Sequence, residues 1–268
     1  RVEDTTTFTF GGGFLDVDDT SGGQDATGIQ VQHNATAIVS GIGLYDVTDV
    51  NGGNAQGALV QDNGTLNIMS TGRIDSVIDQ NGGHAWGIVV APGGTQTVIM
   101  NGTISLVQDS GGNSARGIQI ENNTAANVTV GGTFTSIVEN DGGDGYGIRS
   151  VGGNNMSTVM VTSTGVVNVE ENDGGPGYGV RAHGLSQYDI AGTIAAIENN
   201  NGEGYGVRTH NSAFVSISGS VSIDENGNNN GYGLRAQGSS VIHLGPTGPV
   251  SVEDIGGGIG NGGSRGTT

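Results

Sequence analysis

The sequence predicts an all-β chain that folds as a single-domain parallel β-solenoid of the right-handed β-helix type. One motif is written four times, as GYGIR at 145–149, GYGVR at 177–181 and 204–208, and GYGLR at 231–235. Apolar residues, mostly Val and Ile, fall in short alternating runs, which is typical of half-buried strands. Turn residues separate these runs, and no helical pattern lies between them.

Glycines mark the period of the repeat. The intervals between successive marker glycines are 29, 30, 30, 30, 32, 27 and 27 residues. These marker glycines are Gly28, Gly57, Gly87, Gly117, Gly147, Gly179, Gly206 and Gly233. A period of this length is the signature of stacked repeats. The sequence therefore predicts about eight coils of 27–32 residues, with each strand about 4.8 Å above its counterpart.

Each coil is predicted to hold three short strands. The first follows the marker glycine, as in GIVVA and GVRAH; the second reads TVIM or FVSIS; the third reads GTISLVQD or GSVSIDE. A corner rich in Asn, Asp and Gly closes the coil, where glycine allows the positive φ of a tight turn. Alternation along the first strand points one apolar column inward. This column is Ile29, Ala58, Ile88, Ile118, Ile148, Val180, Val207 and Leu234.

The solenoid is predicted over residues 14–255, between an N-terminal strand at 1–13 and a Gly-rich tail at 256–268. The N-terminal strand alternates threonines with phenylalanines, as Thr5, Thr7, Phe8, Thr9 and Phe10. A solenoid leaves unpaired strand edges at both ends. We expect this strand either to cap its own first coil or to add to a neighbouring molecule, which would give head-to-tail assembly.

The composition excludes several classes of protein. The 54 glycines in 268 residues follow no Gly-x-y period, so the chain is not collagen-like. It has no Cys, its eight cationic residues are all Arg, and its formal net charge is −18. An acidic surface repels phosphates and anionic lipid, so we expect no nucleic-acid partner and no membrane insertion. The same acidity favours an extracellular location.

An acid ends the third strand of nearly every coil. This acidic column is Asp49, Asp79, Asp109, Glu139, Glu171, Glu198, Glu225 and Asp254. Stacked like charges repel one another unless they are solvated, paired or metal-bound. Three interpretations are therefore open: a solvated face, calcium held by carboxylates and corner carbonyls, or pairing with arginines. No cofactor is required, and Ca²⁺ is the one that the pattern suggests.

The repeated motif produces two further columns, which form the predicted surface for partner contact. The Tyr column is Tyr146, Tyr178, Tyr205 and Tyr232, and the Arg column is Arg149, Arg181, Arg208 and Arg235. Rings about 4.8 Å apart can stack with an offset. The Tyr column is thus either an aromatic ladder that supports one corner or a strip on which sugars lie. The Arg column is predicted to face outward.

The sequence favours a non-enzymatic chain. His183 and His210 are expected to stack in adjacent coils, but no other feature around them departs from the repeat. A glycosidase needs two carboxylates at a defined separation in one cleft, whereas these carboxylates form a uniform ladder. A β-helical polysaccharide lyase or glycoside hydrolase and a phage tail-spike or tail-fibre segment are the alternatives.

The strings GYGIR and GYGVRA, with strands of the form x-G-T-I/V, resemble the repeat arrays of bacterial autotransporter passenger domains and related secreted β-helix adhesins. The resemblance covers residues 14–255 and concerns a class of protein. It implies a right-handed β-helix displayed outside a Gram-negative cell. We therefore expect an extracellular structural or adhesive surface protein that self-associates end to end as a filament subunit, with glycans or a neighbouring cell surface as further partners.

Overall fold

The structure is a computed structural model that describes residues 1–20, 23–41, 44–122, 124–152, 156–246, 248–254, 260, 262 and 264–265. All the regular secondary structure in this part of the chain consists of β-strands. The strands form three nine-stranded sheets. Neighbouring strands within a sheet are parallel, as between β18 (Gly177–His183) and β21 (Gly204–His210). The predicted all-β solenoid with three strands per coil is confirmed, and its handedness stays a prediction.

Successive strands go in turn to the three sheets, so each sheet takes every third strand. Sheet I contains β3 (Ala26–Val31), β6 (Ala55–Val60), β9 (His84–Val90), β12 (Ser114–Ile120), β15 (Gly145–Ser150), β18, β21, β24 (Gly231–Ala236) and β27 (Ser264–Arg265). Sheet II contains β1 (Thr7–Phe10), β4 (Thr36–Val39), β7 (Thr65–Ile68), β10 (Thr95–Met100), β13 (Ala125–Val130), β16 (Thr158–Val161), β19 (Gln187–Ile190), β22 (Phe214–Ile217) and β25 (Val241–Leu244). Sheet III contains β2 (Phe14–Asp19), β5 (Leu44–Asp49), β8 (Arg73–Asp79), β11 (Thr103–Asp109), β14 (Thr133–Glu139), β17 (Val166–Glu171), β20 (Thr193–Glu198), β23 (Ser220–Glu225) and β26 (Val250–Asp254).

Equivalent residues stack in columns, as the period predicts. In sheet I, Tyr178 is in register with Tyr205, and Val180 is in register with Val207. The predicted inward apolar column is buried along its whole length. It packs with Val and Ile side chains of the other two sheets in one core that follows the axis of the solenoid. Burial of this apolar surface is the main favourable contribution to folding.

Glycines serve two different purposes in a coil. Corner glycines such as Gly52 and Gly174 have φ of 93° and 94°, the conformation that the corners were predicted to need. The marker glycines are needed for space. A Cβ at Gly206 would lie 2.6 Å from the carbonyl oxygen of Gly233 and would also meet the side chain of Val221. The coils therefore approach more closely there than any other residue would allow.

The first residues of the chain belong to the solenoid itself. Val2 forms a β-bridge with Val31, β1 pairs with β4, and β2 pairs with β5. The segment predicted as a separate strand at 1–13 thus lies on its own first coil, while donation to a neighbour stays a prediction. At the other end β27 pairs with β24, and most of the predicted tail at 256–268 lies outside the described residues. No described segment is a helix of the length and apolarity needed to cross a membrane.

Candidate functional site

The repeated motif places Tyr and Arg side by side because its second glycine interrupts the alternation of the strand. Strict alternation would put Tyr205 and Val207 on the same side of β21. Gly206 and Val207 instead both face the interior. Tyr205 consequently lies outside the main core, on the side from which Arg208 projects. The same arrangement recurs at each of the four copies of the motif.

The rings of the Tyr column form one continuous stack. The centroid separations are 4.9, 4.9 and 5.2 Å from Tyr146 to Tyr232, with interplanar angles of 5°, 4° and 11°. The stack forms a cluster separate from the main core, and its first three rings are buried. This is the geometry of the predicted aromatic ladder. The faces of Tyr178 and Tyr205 are covered by neighbouring rings and so are not exposed to a sugar.

The side chains of the Arg column pack against this stack of rings. The Nη1 atom of the arginine donates a hydrogen bond to the tyrosine hydroxyl one coil earlier. The pairs are Arg181 to Tyr146 at 2.8 Å, Arg208 to Tyr178 at 2.9 Å and Arg235 to Tyr205 at 2.5 Å. Each guanidinium carbon also lies near a ring of its own coil, from 4.8 Å for Arg149 to 5.3 Å for Arg181. Cation–π attraction at this range adds to the hydrogen bonds.

Carboxylates and an earlier cation complete this ladder. The hydroxyls of Tyr146 and Tyr205 donate to Asp144 and Glu203. Below the Tyr column, the Arg116 guanidinium carbon lies 5.6 Å from the centroid of the Tyr146 ring. Burial and, secondly, the charge of Arg149 lower the pKa of Arg116 to about 10, which leaves it cationic at neutral pH. Arg116 therefore occupies the position of the Tyr column in the coil that precedes Tyr146.

The acidic column is buried, so the interpretation as a solvated face is wrong. Its seven described side chains are 0–1% exposed, and the side chain of Asp254 lies outside the described part. They turn into the corners, where backbone N–H groups donate to them. Glu198 Oε1, for example, accepts hydrogen bonds from Asn200 at 2.9 Å and Gly202 at 3.0 Å. The described ion pairs include none between the Arg column and Asp49, Asp79, Asp109, Glu139, Glu171 or Glu198.

The second oxygens of these acids have few partners. Asp49, Asp79, Glu139 and Glu198 each bury one carboxyl oxygen that no donor reaches among the described residues. Burial raises the pKa of Glu171 to about 8, with the N–H of Asp173 opposing the rise and Glu198 and Glu139 adding to it. Burial likewise raises the pKa of Asp79 to about 6 and raises the pKa values of Asp109 and Glu139. A carboxyl that keeps its proton can donate it to the next carboxylate, which satisfies both oxygens.

The column is a poor match to calcium coordination. Ca²⁺ takes about six to eight oxygen ligands, whereas a single file offers two carboxylates at each step. No group of three or more His, Cys, Asp or Glu side chains suited to a metal occurs within the described residues. Calcium binding by this column stays a prediction.

Two features next to the acidic column were not predicted from the sequence. Asp19 lies in register with Asp49 and begins the column one coil earlier. Directly after the later acids, side-chain amides form a hydrogen-bonded ladder with donor–acceptor distances of 2.9, 2.7 and 2.8 Å. This ladder is Asn140, Asn172, Asn199 and Asn226. The recurrence of Asn one residue after each of the four glutamates of the column is the signal in the sequence that could have indicated it.

The two predicted stacking histidines lie in adjacent coils, with ring centroids 5.6 Å apart. Burial lowers the pKa of His183, and the charges of Arg181 and Arg149 lower it further. Burial, with Arg208 as the next cause, lowers the pKa of His210 to about 4. Both rings are therefore neutral at pH 7. The buried Nδ1 of His183 has no hydrogen-bond partner among the described residues.

The fold and these ladders define a class, the parallel β-solenoids whose side chains stack in columns. Comparison with protein-family models, with curated proteins and with solved structures gave no match.

Proposed function

We propose that this chain is a non-enzymatic structural and adhesive element of a cell exterior, a stiff rod that associates end to end with further copies. The observation that carries the proposal is that the side chains best suited to chemistry contact one another in ladders. Tyrosines stack on tyrosines, arginines clamp them, and acids are turned into the corners. Such contacts join each coil that carries them to its neighbour and stiffen the rod. The strongly acidic composition supports an extracellular location.

The ends of the rod support association. At one end β1 and β2 pair on one side only, and at the other end β25 and β26 do the same, within the described chain. Apolar side chains are exposed on these strands, with Phe8 47%, Phe14 66%, Val241 51% and Leu244 47% accessible. An unpaired edge with apolar side chains is a template for a further strand. Because the strands of every sheet are parallel, β1 of a second copy can continue the column after β25 in the same direction.

The interior is also open at the first coil. An apolar recess of about 250 Å³ is lined there by Val2, Phe8, Phe10, Leu15 and Ile29, among others. An exposed apolar patch of this kind marks a place where another surface is buried. We assign it to the last coil of a second copy, which carries exposed Val241 and Leu244.

Sedimentation velocity over a range of protein concentrations, with negative-stain electron microscopy, tests the proposal. We expect rods that lengthen with concentration and show an axial repeat of roughly 40 Å, from nine strands about 4.8 Å apart. Phe8→Lys places a charge in the apolar recess at the first coil and should abolish lengthening. Phe214→Lys is the matched control, since this phenylalanine is 42% exposed on an inner strand at the side of the rod. Discrete rods at every concentration, or unchanged association of Phe8→Lys, would overturn the proposal.

A further inference from the structure

The Arg column concentrates positive charge on a strongly acidic chain. The chain has eight cationic residues against 26 acids, and four of the eight lie in this column. Within the described residues only Arg235 of the four is within ion-pair distance of a carboxylate, at 3.5 Å from Glu203. The other described contacts of these guanidiniums are made to hydroxyls, an amide and aromatic rings. Much of the charge of the column is therefore available to an outside anion.

The guanidiniums are also held in place before any ligand arrives. Each of Arg181, Arg208 and Arg235 uses Nη1 on a tyrosine hydroxyl, while Arg149 packs against the Tyr146 ring. A guanidinium has five N–H donors, so donors beyond Nη1 remain for a ligand, although Arg208 also uses Nη2 on Gln237 and buries its Nε. Fixing these long side chains in advance reduces the entropy that binding would otherwise lose. Arginine forks of this kind favour bidentate contact with carboxylate, sulfate or phosphate oxygens.

A recess adjoins one end of the Arg column. A pocket of about 110 Å³ is lined by Arg149, Ser150, Gly152, Arg181 and His183, with Val151. A second pocket of about 440 Å³ shares its Val151, Gly152 and His183 and adds Leu185 and Asn211. The imidazole of His183 lines this recess with its Nε2 3.2 Å from the Nδ2 of Asn211, while its Nδ1 is buried away from it. The recess falls in the longest interval of the repeat, 32 residues, so here the chain departs from a uniform coil.

We propose that the Arg column binds an anionic polysaccharide whose carboxylate or sulfate groups contact successive guanidiniums. The four charges repeat about every 4.8 Å over roughly 14 Å, which suits a single extended polymer with one anionic group per one or two sugar units. The recess beside His183 takes one sugar unit, whose hydroxyls can pair with the side-chain amide of Asn211. A nucleic-acid duplex fits less well, because its closely spaced phosphates would also meet the acidic surface on either side of the column.

Direct binding measurements on the folded chain test this proposal. The probes are polygalacturonate for carboxylate, heparin for sulfate, dextran as the neutral polymer and oligo-dT as a non-sugar polyanion. We expect binding to at least one of the first two probes, with affinity that falls as salt rises, and no binding to dextran. Binding of polygalacturonate would identify carboxylate, and binding of heparin would identify sulfate, as the anionic group that the column recognises. The binding result is independent of end-to-end association, which sedimentation measures separately.

Variants distinguish the Arg column from a general charge effect. Arg181→Gln and Arg208→Gln should each weaken binding by about tenfold, a usual effect of losing one charge-assisted contact. Arg73→Gln is the matched control, because Arg73 is a cation on another sheet that pairs with Asp75. Arg208→Lys keeps the charge but loses the guanidinium, and its affinity is measured instead if a glutamine variant unfolds. Absence of binding to both anionic polysaccharides, equal binding of oligo-dT, or unchanged affinity of the Arg181 and Arg208 variants would overturn the proposal.

Discussion

Glu171 shows how a buried acid can make stability depend on pH. Its pKa in the folded chain is about 8, whereas an unfolded glutamate titrates near about 4.3. Between these values the folded chain binds more protons than the unfolded chain. Stability therefore decreases as pH rises through this window, and the contribution of the protonated form is fully present only below it. We expect the protein to melt at a higher temperature near about pH 7 than near about pH 8, a window above the ordinary pKa of histidine, where the lowered pKa values of His183 and His210 do not oppose the effect.

Glu171→Gln tests the cause of that pH dependence. The amide keeps the shape of a protonated acid, and its oxygen can still accept from the N–H groups of Asp173 and Gly175. We expect the variant to be more stable than the parent near about pH 8, by roughly 1 kcal/mol or 2–4 °C in Tm, with a flatter pH profile. Glu170→Gln changes the outward-facing neighbour and serves as the control. A Glu171→Gln variant that is equally destabilised at both pH values would contradict a shared proton.

The close approach at the marker glycines predicts the effect of adding one methyl group. We expect Gly206→Ala to destabilise the chain by about 1–3 kcal/mol, because its Cβ would crowd the Gly233 carbonyl and neither coil can move without disturbing the stack. Gly11→Ala is the control, since a Cβ there meets no atom within 4 Å. Urea unfolding followed by circular dichroism measures both variants. Equal stability of the two would show that the coils can separate at little cost.

Stacking in the Tyr column predicts that its inner rings matter more than its last ring. Tyr205 has rings on both sides at 4.9 and 5.2 Å, while Tyr232 has one described ring neighbour. Each aromatic pair contributes about 0.5–1.5 kcal/mol beyond area burial. We therefore expect Tyr205→Ala to cost about 3–5 kcal/mol and Tyr232→Ala distinctly less, measured by urea unfolding. If the two variants cost the same, the stack itself contributes little.

The columns of the strands could be predicted, but the surroundings of their side chains could not. The stacking of Tyr178 on Tyr205 and the burial of Val207 follow from the period and from alternation, which the sequence shows directly. The burial of Glu198 depends on how the corner loop wraps back over the strand end, and that path leaves no local pattern. The relation between Tyr205 and Arg208 required knowing that Gly206 interrupts the alternation.

The solenoid as a whole should tolerate a change in its number of coils. Gly177 is in register with Gly204, so deletion of 177–203 removes one coil and brings β21 onto β15 with the same side chains facing. Repeat proteins are stabilised mainly by contacts between neighbouring coils, so we expect a folded rod shorter by about 4.8 Å. Small-angle X-ray scattering and thermal unfolding measure this.

A deletion that is out of phase provides the control for the whole-coil deletion. Removal of 177–190 takes away β18 and β19 but leaves β20, so every later strand would meet the wrong sheet. We expect this variant to unfold or aggregate. If both deletions behave alike, contacts between particular coils, and not the repeating unit, maintain the rod.

The buried acidic column also affects how the protein moves in an electric field. The formal charge of −18 counts every carboxyl as ionised at neutral pH. In the folded rod burial raises the pKa of Glu171 to about 8, so this carboxyl keeps its proton at neutral pH and part of that charge is neutralised. A measurement of electrophoretic mobility near about pH 7, where the histidines are neutral in either state, should therefore give the native rod a net charge smaller in magnitude than the formal count. The difference between that net charge and −18 counts the protons that the folded rod retains at this pH.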